Sequence, residues 1–295
     1  MKISLVMPTL NVERYVSEAL DSVATQNCPH DLEVIVADGG SQDATLDIIR
    51  KYDFVHLLDG TDNGIYDGFN RGIAAASGDV VGILNADDLL PTGTLERVYN
   101  AFNGEMRPDF ISGGITQGRT SDGGPVMLHT KPLSIAGALH GIPAINARYF
   151  SKNTMKAVGA FRQDAGLAAD REFMMRLSML DLESINIEHP LYHYRIHAGS
   201  STIAGDSAAR LRVWRAEVQL ADFLLNGTDQ NAEIIKVAKQ TKALACAKKW
   251  MFDRSNRDKN APAAPDIPAL CIADLAHLPG ALLAWHRWRG RLSGY

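Results

Sequence analysis

The first hundred residues alternate between two periodicities, and this alternation limits the fold more than any other feature of the chain. KISLVMP, LEVIVAD, FVHLLD and DVVGILNADD are short, apolar, β-rich runs, and helical spacing follows each of the first three. After the first run, Asn11 is placed to cap a helix in which Val12, Val16, Ala19, Leu20 and Val23 share one face. After the second come GGS and a helix through Leu46 and Ile49; after the third, GIYDGFNRGIAAASG reads as a helix closed by Gly78. LEVIVAD is apolar almost throughout, as expected of a strand covered on both faces. The order βαβαβαβ predicts an α/β fold: a mostly parallel, Rossmann-like central sheet flanked by helices. Ligands of such open sheets bind outside the carboxyl ends of the strands. Polar residues gather there: Pro8-Thr9, Asp38, Asp59 or Asp62, and Asn85 to Asp88.

Beyond this core the pattern changes twice. Between Arg107 and Ile142, glycine-rich stretches such as SGGITQGRTSDGG read as loop or hairpin, and from Asp206 helical periodicity resumes until NAPAAPDIP. The expected division is a domain of residues 1–205 and a helical C-terminal region, 206–295. A chain of 295 residues with 46% apolar content supports a sizeable core. Its net charge of −4 points away from nucleic-acid partners, and Cys28, Cys246 and Cys271 lie far apart with no CxxC spacing. MKISLVMPTLN is too short an apolar run for a secretory signal, and no stretch approaches the roughly 18 apolar residues of a spanning helix, so a cytoplasmic location is expected. The charge is uneven, however: Lys236 to Tyr295 holds eleven Lys or Arg against four Asp or Glu. Its last segment, ALLAWHRWRGRLSGY, joins tryptophan to arginine. Peripheral contact with the inner membrane face and packing on its own domain both remain open for this tail.

The stretch GILNADDLLP carries the chemistry most worth explaining, because two carboxylates at the end of an apolar strand need partners. A turn or a helix cap is the plain alternative. The turn after the first strand is PTLN, without the glycines of GxGxxG, and GxxxxGK[ST] is absent, which speaks against a dehydrogenase or a P-loop enzyme. If strand alternation continues, Asn85 and Asp87 share one face while Ala86 and Asp88 share the other. Oxygen ligands in this spacing suit Mg²⁺ or Mn²⁺, with Asp87 as the metal ligand and Asp88 bracing the loop.

Taken together and in order, ISLVMPTLN, VIVADGGSQDAT, DNGIYDGFNRGIAAASGD, ILNADD, AADREFMMRL and YRIHAGSST, from Ile3 to Thr202, resemble the family-2 glycosyltransferases with the A-type nucleotide-sugar-binding fold. The resemblance implies that Pro8, Thr9, Asn11 and Asp38 hold the base and ribose of a nucleotide-diphosphate sugar. It implies that Arg71 meets the diphosphate and Asp67 the sugar, with Asn70 beside them; an Asp–Arg pair on a solvated helix face is the alternative. NADD corresponds to the family's DxD motif, with Asn85, Ala86 and Asp87 at the donor, Asp87 on Mn²⁺ or Mg²⁺, and Asn85 where many members have aspartate. The implied reaction is inverting displacement at the anomeric carbon, with Asp170 as the general base that deprotonates an acceptor hydroxyl. Glu172 competes for that role, since Ala169 stands where a glutamate is usual, and Arg176 reads as structural. Pro190 rules out a helix stacking His189, His193 and His197; in a strand LYHYRIH, His193, Arg195 and His197 share a face. Arg195 is then implied near the diphosphate and His197 as a further metal or phosphate contact, a structural histidine being the alternative. AGSST would close over the donor, and His140 is a candidate for acceptor choice.

The acceptor expected is a polysaccharide or lipid-linked oligosaccharide precursor. The rival readings are a sugar nucleotidyltransferase, which the missing glycine-rich, lysine-bearing loop disfavours, and an inactive nucleotide-binding scaffold, which the presence of both Asp87 and Asp170 disfavours. Sugar, base, linkage and oligomeric state are not encoded in these motifs.

Overall fold

The computed structural model describes residues 1–26, 31–118, 126–127, 133–141, 143–197, 207–227, 231–255, 276–280 and 282. Its strands are β1 (Ile3–Thr9), β2 (Leu32–Asp38), β3 (Val55–Leu58), β4 (Val80–Ile83), β5 (Phe110–Gly118), β6 (Val126–Met127), β7 (Arg148–Ser151) and β8 (Ser184–Arg195). Its helices are α1 (Val16–Ala24), α2 (Thr45–Ile49), α3 (Ile65–Ala75), α4 (Thr94–Asn103), α5 (Ile135–His140), α6 (Lys152–Val158), α7 (Ala169–Ser178), α8 (Ser207–Asn226) and α9 (Ala232–Ser255). One eight-stranded sheet runs β3-β2-β1-β4-β7-β5-β6, with β8 paired to β5. β1 to β4 are mutually parallel, β5 pairs parallel with β8, and only β6 and β7 run against the rest. The mostly parallel sheet flanked by helices is therefore present.

The strands form because nearly every side chain in them is covered. In β1, Ile3, Leu5 and Met7 join Val16, Ala19, Leu20 and Val23 of α1 in one core. Each large member of that helix face contributes about 2 kcal/mol through burial. Val6 faces the other way, towards α3. A Cβ at Gly72 would lie 2.3 Å from Val6 Cγ1, and one at Gly68 would lie 3.0 Å from Pro8 Cβ. Glycine at these two positions, one helical turn apart, lets α3 lie directly on β1.

The chain divides into two compact units, but not by a single cut near 205. The first comprises Met1–Pro132, Ala144–Phe161 and Leu180–Ile196; the second comprises Leu133–Pro143, Arg162–Met179 and His197–Tyr295. The reason is packing. α5 lies against α7 and α9, and the 3-10 segment Gln163–Ala168 lies against α7 and α8, so two central pieces of sequence belong with the C-terminal helices. In this second unit Leu211, Val218, Ala245 and Cys246 form a core with Trp214 packed on it.

Other expectations shift in detail. α1 starts at Val16 with no side-chain cap, so Asn11 does not cap it. α5 appears where only loop was expected. Among the described residues no helix is long and apolar enough to cross a membrane. Cys28, Cys271, AGSST, NAPAAPDIP and, apart from Leu282, the Trp/Arg tail lie outside the described residues.

Candidate functional site

In the first unit the strand order reverses at β1, with β2 on one side and β4 on the other, and the crevice at such a point is where open α/β sheets bind ligands. Asp38, at the carboxyl end of β2, is fully buried. Its carboxylate accepts from Thr9 Oγ1 at 2.9 Å, Gly40 N at 2.8 Å, Ser41 N at 2.8 Å and Ser41 Oγ at 2.6 Å. Burial alone would raise this carboxyl, but the Ser41, Gly40 and Thr9 donors outweigh it and hold it below the usual range. Asn11 adopts a φ of 51°, which asparagine tolerates better than most residues. Its backbone N–H donates to Ser41 Oγ and its side-chain oxygen accepts from Gln42 N, both at 2.9 Å. Pro8 and Thr9 are buried. The side chains of Thr9, Asn11 and Asp38 thus tie together the loop that follows β2.

Polar side chains of α3 also make hydrogen bonds within the protein. Arg71 donates through Nη1 to Asp38 O at 2.8 Å and through Nη2 to Leu58 O and Asp59 O at 3.1 Å each. It is a strut across the ends of β2 and β3. Asn70 exchanges two hydrogen bonds with the backbone of Phe161, donating at 2.9 Å and accepting at 2.8 Å. Asp67 accepts from the backbone and side-chain nitrogens of Asn63, at 3.0 and 3.1 Å.

β4 stops at Ile83, and Asn85 to Asp88 close a turn through Asp88 N–H to Asn85 O at 3.1 Å. Strand alternation therefore does not extend to these residues, and the side chains of Asn85 and Asp88, expected on opposite faces, meet. Ala86, 3% exposed, is packed into the core and offers a ligand no side chain. Asp88, 1% exposed, accepts from Arg195 N at 2.8 Å, from the Tyr192 hydroxyl and from Asn85 Nδ2 at 3.1 Å. Burial and the charge of Asp87 push the Asp88 carboxyl up to about 7 against the pull of these three donors. Asp88 thus braces the turn as expected. The Arg195 guanidinium lies with Nη2 3.0 Å from Glu18 Oε2 and stacks over Tyr15 at 5.3 Å.

What the turn offers outward is Asn85 and Asp87, both half-buried. Asn85 Oδ1 is buried and has no hydrogen-bond partner. An orphaned carbonyl oxygen two residues from a carboxylate fits a hard divalent cation, for which oxygen donors are the right chemistry. Among the described residues no cluster of three or more His, Cys, Asp or Glu side chains forms a complete cage, so such a cation would share its coordination with substrate oxygens and water.

In the second unit α7 carries the acidic motif. Asp170 stands in the first turn, two residues past the N-cap position of Ala168, and accepts from Arg171 N at 2.7 Å. It is therefore not the cap of that helix. Glu172 is 2% exposed and bound by Arg176, with Nε at 2.8 and 3.0 Å from its two oxygens and Nη2 at 2.8 Å. Both of its oxygens are bound by the Arg176 guanidinium. Arg176 is structural, as expected. His140 lies in the interior of this unit beside Glu217, Arg171 and Lys248, and burial lowers it to about 4. His193, in the first unit, is also internal, with Nδ1 2.8 Å from Thr116 Oγ1. β8 ends at Arg195, so His197 is not on the strand and belongs to the second unit.

The family model "Glycosyl transferase family 2" matches residues 4–155 of the 295. The chain belongs to glycosyl transferase family 2. A "PGL/p-HBAD biosynthesis glycosyltransferase" of Mycobacterium bovis is 40% identical over 125 residues, covering 40% of this chain and 48% of that one. The "Poly(ribitol-phosphate) beta-glucosyltransferase" of Bacillus spizizenii is 37% identical over 120 residues, covering 38% and 19%. The chain spans about half the length of the first of these relatives and less of the second. Among solved structures, S. aureus TarS 1-349 in complex with UDP is 20% identical with a TM-score of 0.62, covering 99% of this chain and 88% of that one. Mannosyltransferase PcManGT from Pyrobaculum calidifontis, in complex with GDP-Man and Mn²⁺, is 18% identical with a TM-score of 0.60, covering 98% and 82%. These two likenesses show the A-type fold.

In this family 2 chain the residues that sequence reasoning passed over are Tyr192 and Asn146. The Tyr192 hydroxyl accepts from Asn85 N at 3.3 Å and from Asn146 Nδ2 at 3.0 Å while donating to Asp88. Neither residue sits in a recognisable motif, and a tyrosine in an apolar strand reads as core. Asp170, Arg195 and His197 lie beyond the span that the family model matches.

Proposed function

We propose that this chain is an inverting, metal-dependent glycosyltransferase that moves a sugar from a nucleotide-diphosphate sugar to a hydroxyl of a polysaccharide or lipid-linked oligosaccharide precursor. The observation that carries this reading is the buried, unpartnered Oδ1 of Asn85 beside Asp87, at the carboxyl end of β4 and at the reversal of strand order. The UDP, UDP-GlcNAc and GDP-Man bound in the solved A-type structures support a nucleotide-sugar donor, and the Mn²⁺ of the mannosyltransferase supports a divalent cation. Asp87 and Asn85 would hold Mn²⁺ or Mg²⁺. When bound, the cation supplies positive charge to the departing diphosphate.

The protein's own groups have distinct tasks. The loop tied by Thr9, Asn11, Asp38 and Arg71 presents its backbone to the base and ribose, so those side chains act by ordering it. In the transfer, the acceptor oxygen forms a bond to the anomeric carbon from the face opposite the diphosphate, the bond to the diphosphate breaks, and Asp170 takes the acceptor proton. The relatives named for PGL/p-HBAD biosynthesis and as a poly(ribitol-phosphate) beta-glucosyltransferase support a cell-envelope acceptor. A cytoplasmic enzyme whose basic tail meets the inner membrane face would reach a lipid-linked acceptor. The test is nucleoside-diphosphate release from a panel of UDP-, GDP-, dTDP- and CDP-sugars, with Mn²⁺ and with EDTA, followed by NMR of the product's anomeric configuration. Chelator-sensitive release with inversion is expected; chelator-insensitive release, or retention, would overturn the reading.

A further inference from the structure

β7 pairs antiparallel with β4, Val80 with Ser151 and Gly82 with Tyr149, and this register continued past the strand ends brings residue 146 level with Asn85. Asn146 therefore stands at the carboxyl end of β4, in the 3-10 segment Ile145–Ala147 that leads into β7. The segment is held against strain. Ala144, just before it, has a φ of 45°, a left-handed conformation that a residue with a Cβ keeps only where its surroundings impose it, and such residues gather at binding sites. The Ala144 carbonyl accepts from Ala147 N at 3.1 Å and from Arg148 Nη1 at 3.0 Å, and Arg148 is buried. The two ends of the Asn146 amide are then treated differently. Nδ2 donates to the Tyr192 hydroxyl at 3.0 Å, the same hydroxyl that accepts from Asn85 N at 3.3 Å. Among the described residues no donor meets Asn146 Oδ1, and this oxygen is not sealed in the interior as Asn85 Oδ1 is, Asn146 being half-buried. A fixed, open amide oxygen is a site for an O–H or N–H donor.

We propose that Asn146 Oδ1 accepts a hydrogen bond from a hydroxyl of the sugar being transferred, and so takes part in choosing the donor. The inference rests on the proposed donor site and deepens it. Phosphate oxygens carry no hydrogen at neutral pH, so the diphosphate offers Oδ1 nothing to accept. The base and ribose belong with the loop after β2, which is separated from β4 by β1. The donors left on the β4 side are the hydroxyls of the sugar. A site built to bond a substrate hydroxyl rejects an analogue that lacks it, because its own polar group is then left unpaired.

The test measures kcat/KM for nucleoside-diphosphate release by the parent, Asn146→Ala and Asn146→Leu, on whichever UDP-, GDP-, dTDP- or CDP-sugar the parent uses and on the 3-, 4- and 6-deoxy forms of that sugar. Calorimetric binding of the free nucleoside diphosphate with Mn²⁺ is measured alongside, and shows that each variant keeps a folded site. Asn146→Ala and Asn146→Leu are expected to lower kcat/KM on the complete sugar about tenfold, the scale of one hydrogen bond, with nucleoside-diphosphate binding unchanged. One deoxy sugar should lose about tenfold with the parent and nothing further with Asn146→Ala, since the two changes remove the same contact. If both variants keep the parent's kcat/KM, or if the parent and Asn146→Ala lose equally on every deoxy sugar, the inference is overturned. It is overturned too if nucleoside-diphosphate binding weakens as much as kcat/KM, because Asn146 then serves the turn or the cation and not the sugar. If the folded parent releases nucleoside diphosphate from no sugar nucleotide, the donor-site reading itself fails and this inference falls with it.

Discussion

Asp170 and Glu172 carry the same functional group two residues apart, in different surroundings. Glu172 is buried with both oxygens on the Arg176 guanidinium, one turn further along α7. Asp170 stands in the first turn. Asp170→Asn is expected to lower kcat by about 10²- to 10⁴-fold with nucleotide affinity and thermal midpoint unchanged. Glu172→Gln should instead cost about 2 kcal/mol of stability, at the low end for a buried pair because Arg176 is a quarter exposed, and leave the pH–rate profile alone. Turnover and chemical denaturation measured on both variants separate the two roles. The i,i+4 spacing of Glu172 and Arg176 is visible in the sequence; the burial of Glu172 is not. Asp38, Asn70 and Arg71 are the harder cases, because a side chain chosen for its ligand chemistry can equally bind backbone carbonyls or amides of distant residues. Phe161, the partner of Asn70, is 91 positions away.

Among elements, the legible part of the fold is the part built from local pattern. β1 to β4 and α1 to α3 follow from alternating periodicity, and the parallel order of those strands follows from the helices between them. The insertion of β7 antiparallel between β4 and β5, and the pairing of β8 with β5, depend on contacts that no local pattern encodes. The site inherits this limit, since Asp88 finds Tyr192 and Arg195 at separations of 104 and 107 residues. Asn70, by contrast, ties α3 to the segment that follows α6. Asn70→Ala removes both hydrogen bonds to the Phe161 backbone and is expected to cost about 2 kcal/mol, read as a lower urea midpoint with an unchanged slope.

For the molecule as a whole, stability against acid follows from buried groups in both units. Between pH 6.5 and about 4 the unfolded chain carries a protonated His140 and the folded chain does not, so acidification through that window favours unfolding. Asp88, held near 7, binds its proton in the folded state first and works in the opposite direction over the same window. The two nearly cancel, so the effect is read as a difference: the stability of His140→Leu relative to the parent should rise by up to about 1.4 kcal/mol per pH unit as the pH falls from 6.5 to 4.5. Below 4.5 a second loss begins. Glu33 is held at about 2 because its bonds to Lys2, Ser4 and Ser77 outweigh its burial; its stabilisation is present above pH 4.5 and is lost as the pH falls towards 2. Glu33→Gln should remove that step in acid denaturation. The central claim concerns the cation-dependent donor site, and calorimetric titration with UDP, GDP, dTDP and CDP, with and without Mn²⁺, on the parent and on Asp87→Ala, tests it most directly. Mn²⁺-dependent binding of one nucleotide by the parent, lost in a folded Asp87→Ala, is the predicted result; equal binding by both proteins, or binding indifferent to Mn²⁺, would contradict it.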